Sequence, residues 1–177
     1  TILDGKRDNK VSYDHTIKLI QKYKDLKGIY VSTVRHTAGV AKAIEDKGLA
    51  DKIKIVSHGN HLDVMEYVGK NIISGNIPDD TFQMGYDPVI YLYNYLVTGE
   101  HPYAERCIIP DRMVTFRNIK ELWDFKTGFV ENPITSDRLM QPVDSKPDKN
   151  LRIPYVEFED NDFCRQMKSG ALAAAEK

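Results

Sequence analysis

Three short stretches hold the side chains best suited to chemistry: Ser32-Thr33-Val34-Arg35, Ser57-His58-Gly59-Asn60-His61 with Asp63 just beyond, and the pair Asp79-Asp80. Arg35 carries the planar fork that clamps a carboxylate or two hydroxyls, and it equally suits a solvated loop. His58, His61 and Asp63 bring donor atoms to short spacing, but a metal centre wants three or four ligands and no convincing remainder is nearby. Hydrogen bonding in a cleft and ordinary loop or core packing are the other roles open to these histidines. Asp79 and Asp80 can accept hydrogen bonds from a ligand, or cap a following helix at its positive end. No nucleophile stands beside them. The chain has no Gly-x-Gly-x-x-Gly, no Gly-x-x-x-x-Gly-Lys-Ser/Thr and no Gly-x-Ser-x-Gly, so no catalytic residues and no cofactor are expected.

The elements that must hold these stretches follow from the sequence between them. Ile29, Tyr30 and Val31 form a β-favouring run. Val40, Ala43 and Ile44 recur at helical spacing, with Lys42, Glu45 and Asp46 on the wet side, and Gly48 stands where a left-handed stop is wanted. Ile53 to Ser57 alternates as a strand and ends at His58-Gly59-Asn60. Strand, helix and strand of this length make a βαβ unit with parallel strands. The first two stretches then lie at strand carboxyl ends, where open α/β sheets bind ligands.

Before this unit, Ser12 or Asp14 is expected to cap a helix running to about Lys24, with Tyr13, Ile17, Ile20 and Tyr23 as its inner stripe. After it, Leu62, Met65 and Val68 predict another helix, and Asn76-Ile77 a short extended piece. A long helix is expected over about 82–97, with Phe82, Val89, Leu92, Tyr93 and Leu96 facing inward. Pro88 predicts a kink there or a later start, and Gly99 the stop. Ile108-Ile109 and 113–116 read as short strands. Residues 124–150, with Pro133, Pro142 and Pro147 and no sustained period, read as a linker. A strand over 153–158 and a helix from about Phe163 to the end close the chain, with 160–162 as turn and cap.

The totals set bounds. With 177 residues, the chain can bury a real core, and 41% hydrophobic and 29% charged residues are ordinary for a globular protein. A formal net charge of −1 offers no basic field for nucleic acid. No apolar run reaches the ~20 residues of a membrane-spanning helix. Cys107 and Cys164 are isolated and leave the compartment open.

Several pieces, in order, resemble the second lobe of type I periplasmic binding proteins, the fold that also serves as the effector domain of Lac-repressor-like transcription regulators. They are Gly28 to Thr33, Ala38 to Ile44, Gly48, Ile53 to Gly59, Gly75-Asn76-Ile77, Gln83-Met84-Gly85-Tyr86, Leu92 to Gly99 and Met113 to Ile119. The resemblance covers about 1–119. Ile153 to Val156, Asn161-Asp162-Phe163 and Lys168 to Glu176 resemble the first strand and helix of the family's first lobe, displaced to the end of the chain. The resemblance therefore implies an α/β fold, a parallel sheet flanked by helices in a flavodoxin-like three-layer sandwich. It also implies a second-lobe domain over 1–123, a linker over 124–150 and a first-lobe-like piece over 151–177, either the next unit of a tandem or a swapped element.

In that family, two lobes close on a ligand, polar groups at strand ends grip sugar hydroxyls, and aromatic rings stack on sugar faces. Carried onto this chain, the grip falls to Thr33, Arg35, His58, Asn60, Asp79 and Asp80, with Asn161 and Phe163 serving the site of the following unit. The family often has Asn-Asp, Asp and Gln at the three strand ends, where this chain has Thr33-Val34, Gly59 and Asp79. Those departures set this chain apart from the family's standard pentose or hexose site. The expected function is a non-enzymatic, small-ligand receptor, probing a sugar or polyol by hinge closure, with no metal, no nucleic acid at this segment, no membrane span, and packing against another lobe or copy. A periplasmic or extracytoplasmic location goes with a receptor, a cytoplasmic one with a transcription regulator. The alternatives are such a regulator's effector domain, a flavodoxin-like enzyme, or a docking module whose site has degenerated.

Overall fold

A computed structural model describes residues 2–101, 112–125, 128–129, 139–145, 151–157, 159 and 161–177. The Ile108-Ile109 strand, Cys107 and most of the expected linker lie outside the described residues. The chain divides into two compact units, 1–79 with 111–126 and 80–110 with 127–177.

The first unit is built on β1 (Gly28–Val31), β2 (Lys54–His58) and β3 (Gly75–Ile77), parallel and in the order β1-β2-β3. Ile29 pairs with Ile55 and Ser57 with Asn76. Of the strand expected over 113–116, Val114 alone bridges, antiparallel to Asn76. Helices α2 (Val34–Asp46) and α3 (Leu62–Gly69) supply the crossovers that parallel strands require, and α1 (Asn9–Lys22), ahead of β1, packs on α2. Gly48 follows α2 at φ +61°, the left-handed turn that its lack of a Cβ permits. Ile44, Ile55, Val64, Met65, Val68, Ile73 and Val114 are fully buried. Each such side chain contributes about 1.5–3 kcal/mol relative to exposure. A short α5 (Ile119–Leu122) and a two-residue β4 (Trp123–Asp124) complete this unit, with Leu122 and Trp123 buried.

Helix α1 corrects its expected start and its expected face. It is capped by Asp8, whose carboxylate accepts from the backbone N–H of Lys10 (2.6 Å) and Val11 (3.1 Å). Ser12 lies inside the helix and donates back to the Asp8 carbonyl at 2.9 Å. The buried residues are Ser12 and Thr16, while Tyr13, Ile17, Ile20 and Tyr23 are only half-buried. The reason is a close helix crossing. A Cβ on Gly39 of α2 would stand 2.0 Å from the Asn9 carbonyl oxygen, so small side chains must line the contact.

The second unit holds α4 (Thr81–Thr98), the two-residue β5 (Gly128–Phe129) and α6 (Asp162–Ala175). Asp80 caps α4, accepting from the Gln83 N–H at 3.0 Å, and Gly99 ends it at φ +72°. Pro88 sits inside the helix on an exposed position, so the helix begins ahead of the proline and not after it. The buried face is also displaced from the expected one. Thr81, Gln83, Gly85, Tyr86, Asp87, Ile90 and Asn94 point inward, whereas Leu92 and Leu96 are exposed.

Two partners account for that face. One is α6: a Cβ on Gly85 would lie 1.8 Å from the Met167 carbonyl oxygen, and one on Gly170 would lie 2.0 Å from that of Phe82. The other is the extended segment 139–145. Asp87 accepts from the Met140 N–H at 2.9 Å, and Asn94 donates to the Gln141 carbonyl at 3.0 Å and accepts from the Val143 N–H at 2.8 Å. Buried polar residues thus satisfy a backbone that has no strand beside it. The expected strand over 153–158 does not form among its described residues.

Candidate functional site

The parallel sheet of the first unit sets the site, because its three strands end on one side. Past β1, the carbonyl of Thr33 opens α2 and accepts from the His36 N–H (3.2 Å) and the Thr37 hydroxyl (3.0 Å). The Thr33 hydroxyl makes no capping bond, which leaves it for other work. Arg35 is exposed on the first turn of α2.

At the end of β2, His58 is half-exposed, and its Nε2 lies 3.5 Å from an Asp79 carboxylate oxygen beyond β3. The structure therefore brings together two residues that stand far apart in sequence. Gly59 follows at φ +97°, with the Val34 side chain so near that a Cβ would lie 3.0 Å from it. Only glycine fits that turn. Asn60, next in line, is 8% exposed. His61 caps α3, its Nδ1 accepting from the Asp63 N–H at 3.4 Å. Among the described residues, no group of three His, Cys, Asp or Glu could hold a metal ion.

The other expected site residues lie in the second unit. Asp80 caps α4 and is buried. Asn161 caps α6, accepting from the Cys164 N–H at 2.9 Å and donating to Glu159 at 2.8 Å. Phe163 is half-buried on the first turn of α6.

Sequence reasoning passed over Asn76. It is fully buried in β3, where its amide accepts from the Ser57 hydroxyl (2.7 Å) and donates to the Gly59 carbonyl (2.9 Å). The available signal was a lone asparagine in the run from Ile72 to Ile77, where a strand would take an apolar residue.

The strand ends thus hold a donor on Arg35, an acceptor on Asp79, and groups able to do either on Thr33, His58 and Asn60. A ligand hydroxyl donates one hydrogen bond and accepts up to two, so a mixed set of this kind suits it. The sequence profile of the periplasmic binding protein domain family matches residues 1–101. The chain belongs to that family.

Solved structures agree on the fold. A sugar-binding protein of a sugar ABC transporter from Bacillus halodurans superposes with a TM-score of 0.60 at 25% identity, over 67% of this chain and 43% of that one. A carbohydrate transporter solute-binding protein from Agrobacterium radiobacter, in complex with D-arabinose, gives 0.55 at 23% identity, over 64% and 38%. A solute-binding protein of an ABC transporter from Agrobacterium vitis with bound D-fucose gives 0.58 at 21%, over 68% and 41%. The chain spans less than half the length of each. No curated protein sequence matches. Among the described residues, no helix is long and apolar enough to cross a membrane.

Proposed function

We propose that this chain carries one gripping face of an extracytoplasmic sugar receptor that works without catalysis. The observation that carries the reading is the pairing of His58 with Asp79 at the carboxyl ends of β2 and β3, beside Asn60, in a chain of the periplasmic binding protein family. The solved relatives with bound D-arabinose and D-fucose support a monosaccharide as the ligand class. Thr33, Arg35, His58, Asn60 and Asp79 supply the hydrogen bonds. Each discriminates because a buried polar group left unmet costs about 1–3 kcal/mol. A second lobe closing over the sugar then converts binding into a shift between open and closed populations.

The same reading takes 1–123 as second-lobe-like, with Asp80 next to Asp79 in its grip, 124–150 as a linker and 151–177 as first-lobe-like, with Asn161 and Phe163 serving the site of a following unit. Support for the last part is that α6 begins at its own cap, Asn161.

A thermal-shift screen of the full-length protein, with both lobes present, against D-arabinose, D-fucose, D-tagatose, other monosaccharides, polyols and nucleosides tests the reading. A ligand at about 100 times its Kd stabilises by about 2.7 kcal/mol. A rise of several degrees confined to monosaccharides is expected, and Asp79→Ala and Asn60→Ala should abolish it. A flat response of the folded protein to every sugar would overturn the receptor reading in favour of a docking module.

A further inference from the structure

We propose that Asn76 is a positioning residue that fixes the Gly59–Asn60 peptide, and through it the ligand-facing end of β2. Asn76 has no exposed surface, and its backbone N–H and carbonyl are already paired with Val114 at 2.8 and 2.7 Å. The strand therefore does not need the side-chain amide. An apolar residue of similar volume would bring no polar atom of its own, and what it would leave without this partner is the Ser57 hydroxyl and the Gly59 carbonyl.

What the amide does is hold Gly59. Strand β2 ends at His58, so the Gly59 carbonyl falls outside the parallel ladder. Asn76 Nδ2 donates to it at 2.9 Å, while the Gly59 N–H donates to the Ile77 carbonyl at 2.9 Å. Both polar groups of Gly59 are thus gripped by consecutive residues of β3. The Ser57 hydroxyl, donating to Asn76 Oδ1 at 2.7 Å, fixes which way round the amide stands. The Gly59 carbonyl and the Asn60 N–H belong to one planar peptide, so orienting the first orients the second and the bond to the Asn60 Cα. At φ +97°, with Val34 against it, the glycine has little room for another arrangement. Asn76 touches no ligand in this scheme and acts through the turn.

The ligand part of the inference rests on the sugar-receptor reading, and the test separates the two. Asn76→Asp keeps the size but turns the donor facing the Gly59 carbonyl into an acceptor. Asn76→Thr suits a strand and falls short of Gly59, and it is read in the same way if the aspartate variant does not fold. Ile44→Val, a core change away from the strand ends, is the control for stability alone. Two readouts are taken, the affinity for the sugar found in the screen by calorimetry and the ligand-free amide cross-peak of Asn60.

Expected is an affinity loss of about tenfold or more and a displaced Asn60 cross-peak in the Asn76 variants. In Ile44→Val, affinity should stay within about twofold and the Asn60 cross-peak in place. An Asn76 variant that melts lower yet keeps both readouts unchanged would overturn the proposal and leave Asn76 a packing residue. If the unmodified full-length protein binds no sugar, the receptor reading falls, and the Asn60 cross-peak alone decides the positioning role.

Discussion

In the unit built on β1–β3, the fully buried side chains are mainly Ile44, Ile55, Val64, Met65, Val68, Ile73 and Val114; in the unit built on α4 and α6, Thr81, Gln83, Asp87 and Asn94 share the buried face of α4 with Tyr86 and Ile90. The difference follows from what each element packs against. A parallel sheet satisfies its own backbone, so its covering helices need bring only apolar surface. An extended segment such as 139–145 brings unpaired N–H and carbonyl groups, so the helix receiving it must bury side chains that bond them. Where two helices meet backbone to backbone, glycine replaces the apolar knob, as at Gly39 in one unit and at Gly85 and Gly170 in the other.

Four experiments would break or sharpen this contrast. The largest effect is expected from Ile55→Ala at the centre of the sheet, a loss of about 2–5 kcal/mol. Trp123, the chain's one tryptophan, is buried in the same unit, so its fluorescence in a urea titration reports that loss. Next is Gly85→Ala, which forces a methyl group against the Met167 carbonyl and should cost about 1–3 kcal/mol. Its signature is helical circular dichroism lost before the tryptophan signal moves. Coincident loss of both signals would mean that the two units melt as one.

Asn94→Ala should cost less, about 1 kcal/mol, because water can take over at the released Gln141 and Val143 groups. Faster proteolysis within 139–145 at an almost unchanged tryptophan transition is the expected result. Equal susceptibility of variant and parent would show that other contacts hold the segment.

The smallest effect lies on the surface. The Lys42 ammonium hydrogen-bonded to Asp46 holds that carboxyl below its ordinary value, against some opposing desolvation and with help from the Tyr13 hydroxyl. A carboxyl lowered by folding stabilises above its unfolded pKa and loses that contribution as pH falls through its folded one. Asp46→Asn should therefore slightly flatten the dependence of the urea midpoint on pH from about pH 4 downward. The same bond raises Lys42, whose contribution is lost on the alkaline side instead.

The same contrast explains what could be read from the sequence. The run from Gly28 to His58 was legible because Ile29, Val31, Val40, Ile44 and Ile55 repeat with the periods of a covered sheet, and Gly48 marks the turn. Family membership and the parallel α/β fold came with it. Asp8 was hidden as a cap because it follows Lys6 and Arg7, both in left-handed conformations that sequence does not announce. The inner face of α4 was misjudged because Gln83, Asp87 and Asn94 look like a wet side until their backbone partners are known. Within the site, strand ends could be located by chain order, but the approach of His58 to Asp79 depends on how β2 and β3 register. Asn76 was out of reach because its role lies in the turn it holds and not in any motif.

Strand β2 has a neighbour along each of its two edges, and Ile55 and Ser57 have no exposed surface. In hydrogen exchange, its amides should therefore open only when the whole unit unfolds, slower than those of α1 or the chain end. His58, Gly59 and Asn60 ride on the end of that strand. On the proposed receptor reading, the residues that meet a ligand are thus anchored to a strand held along both edges, and selectivity there would be set once, at folding, rather than renegotiated with each encounter.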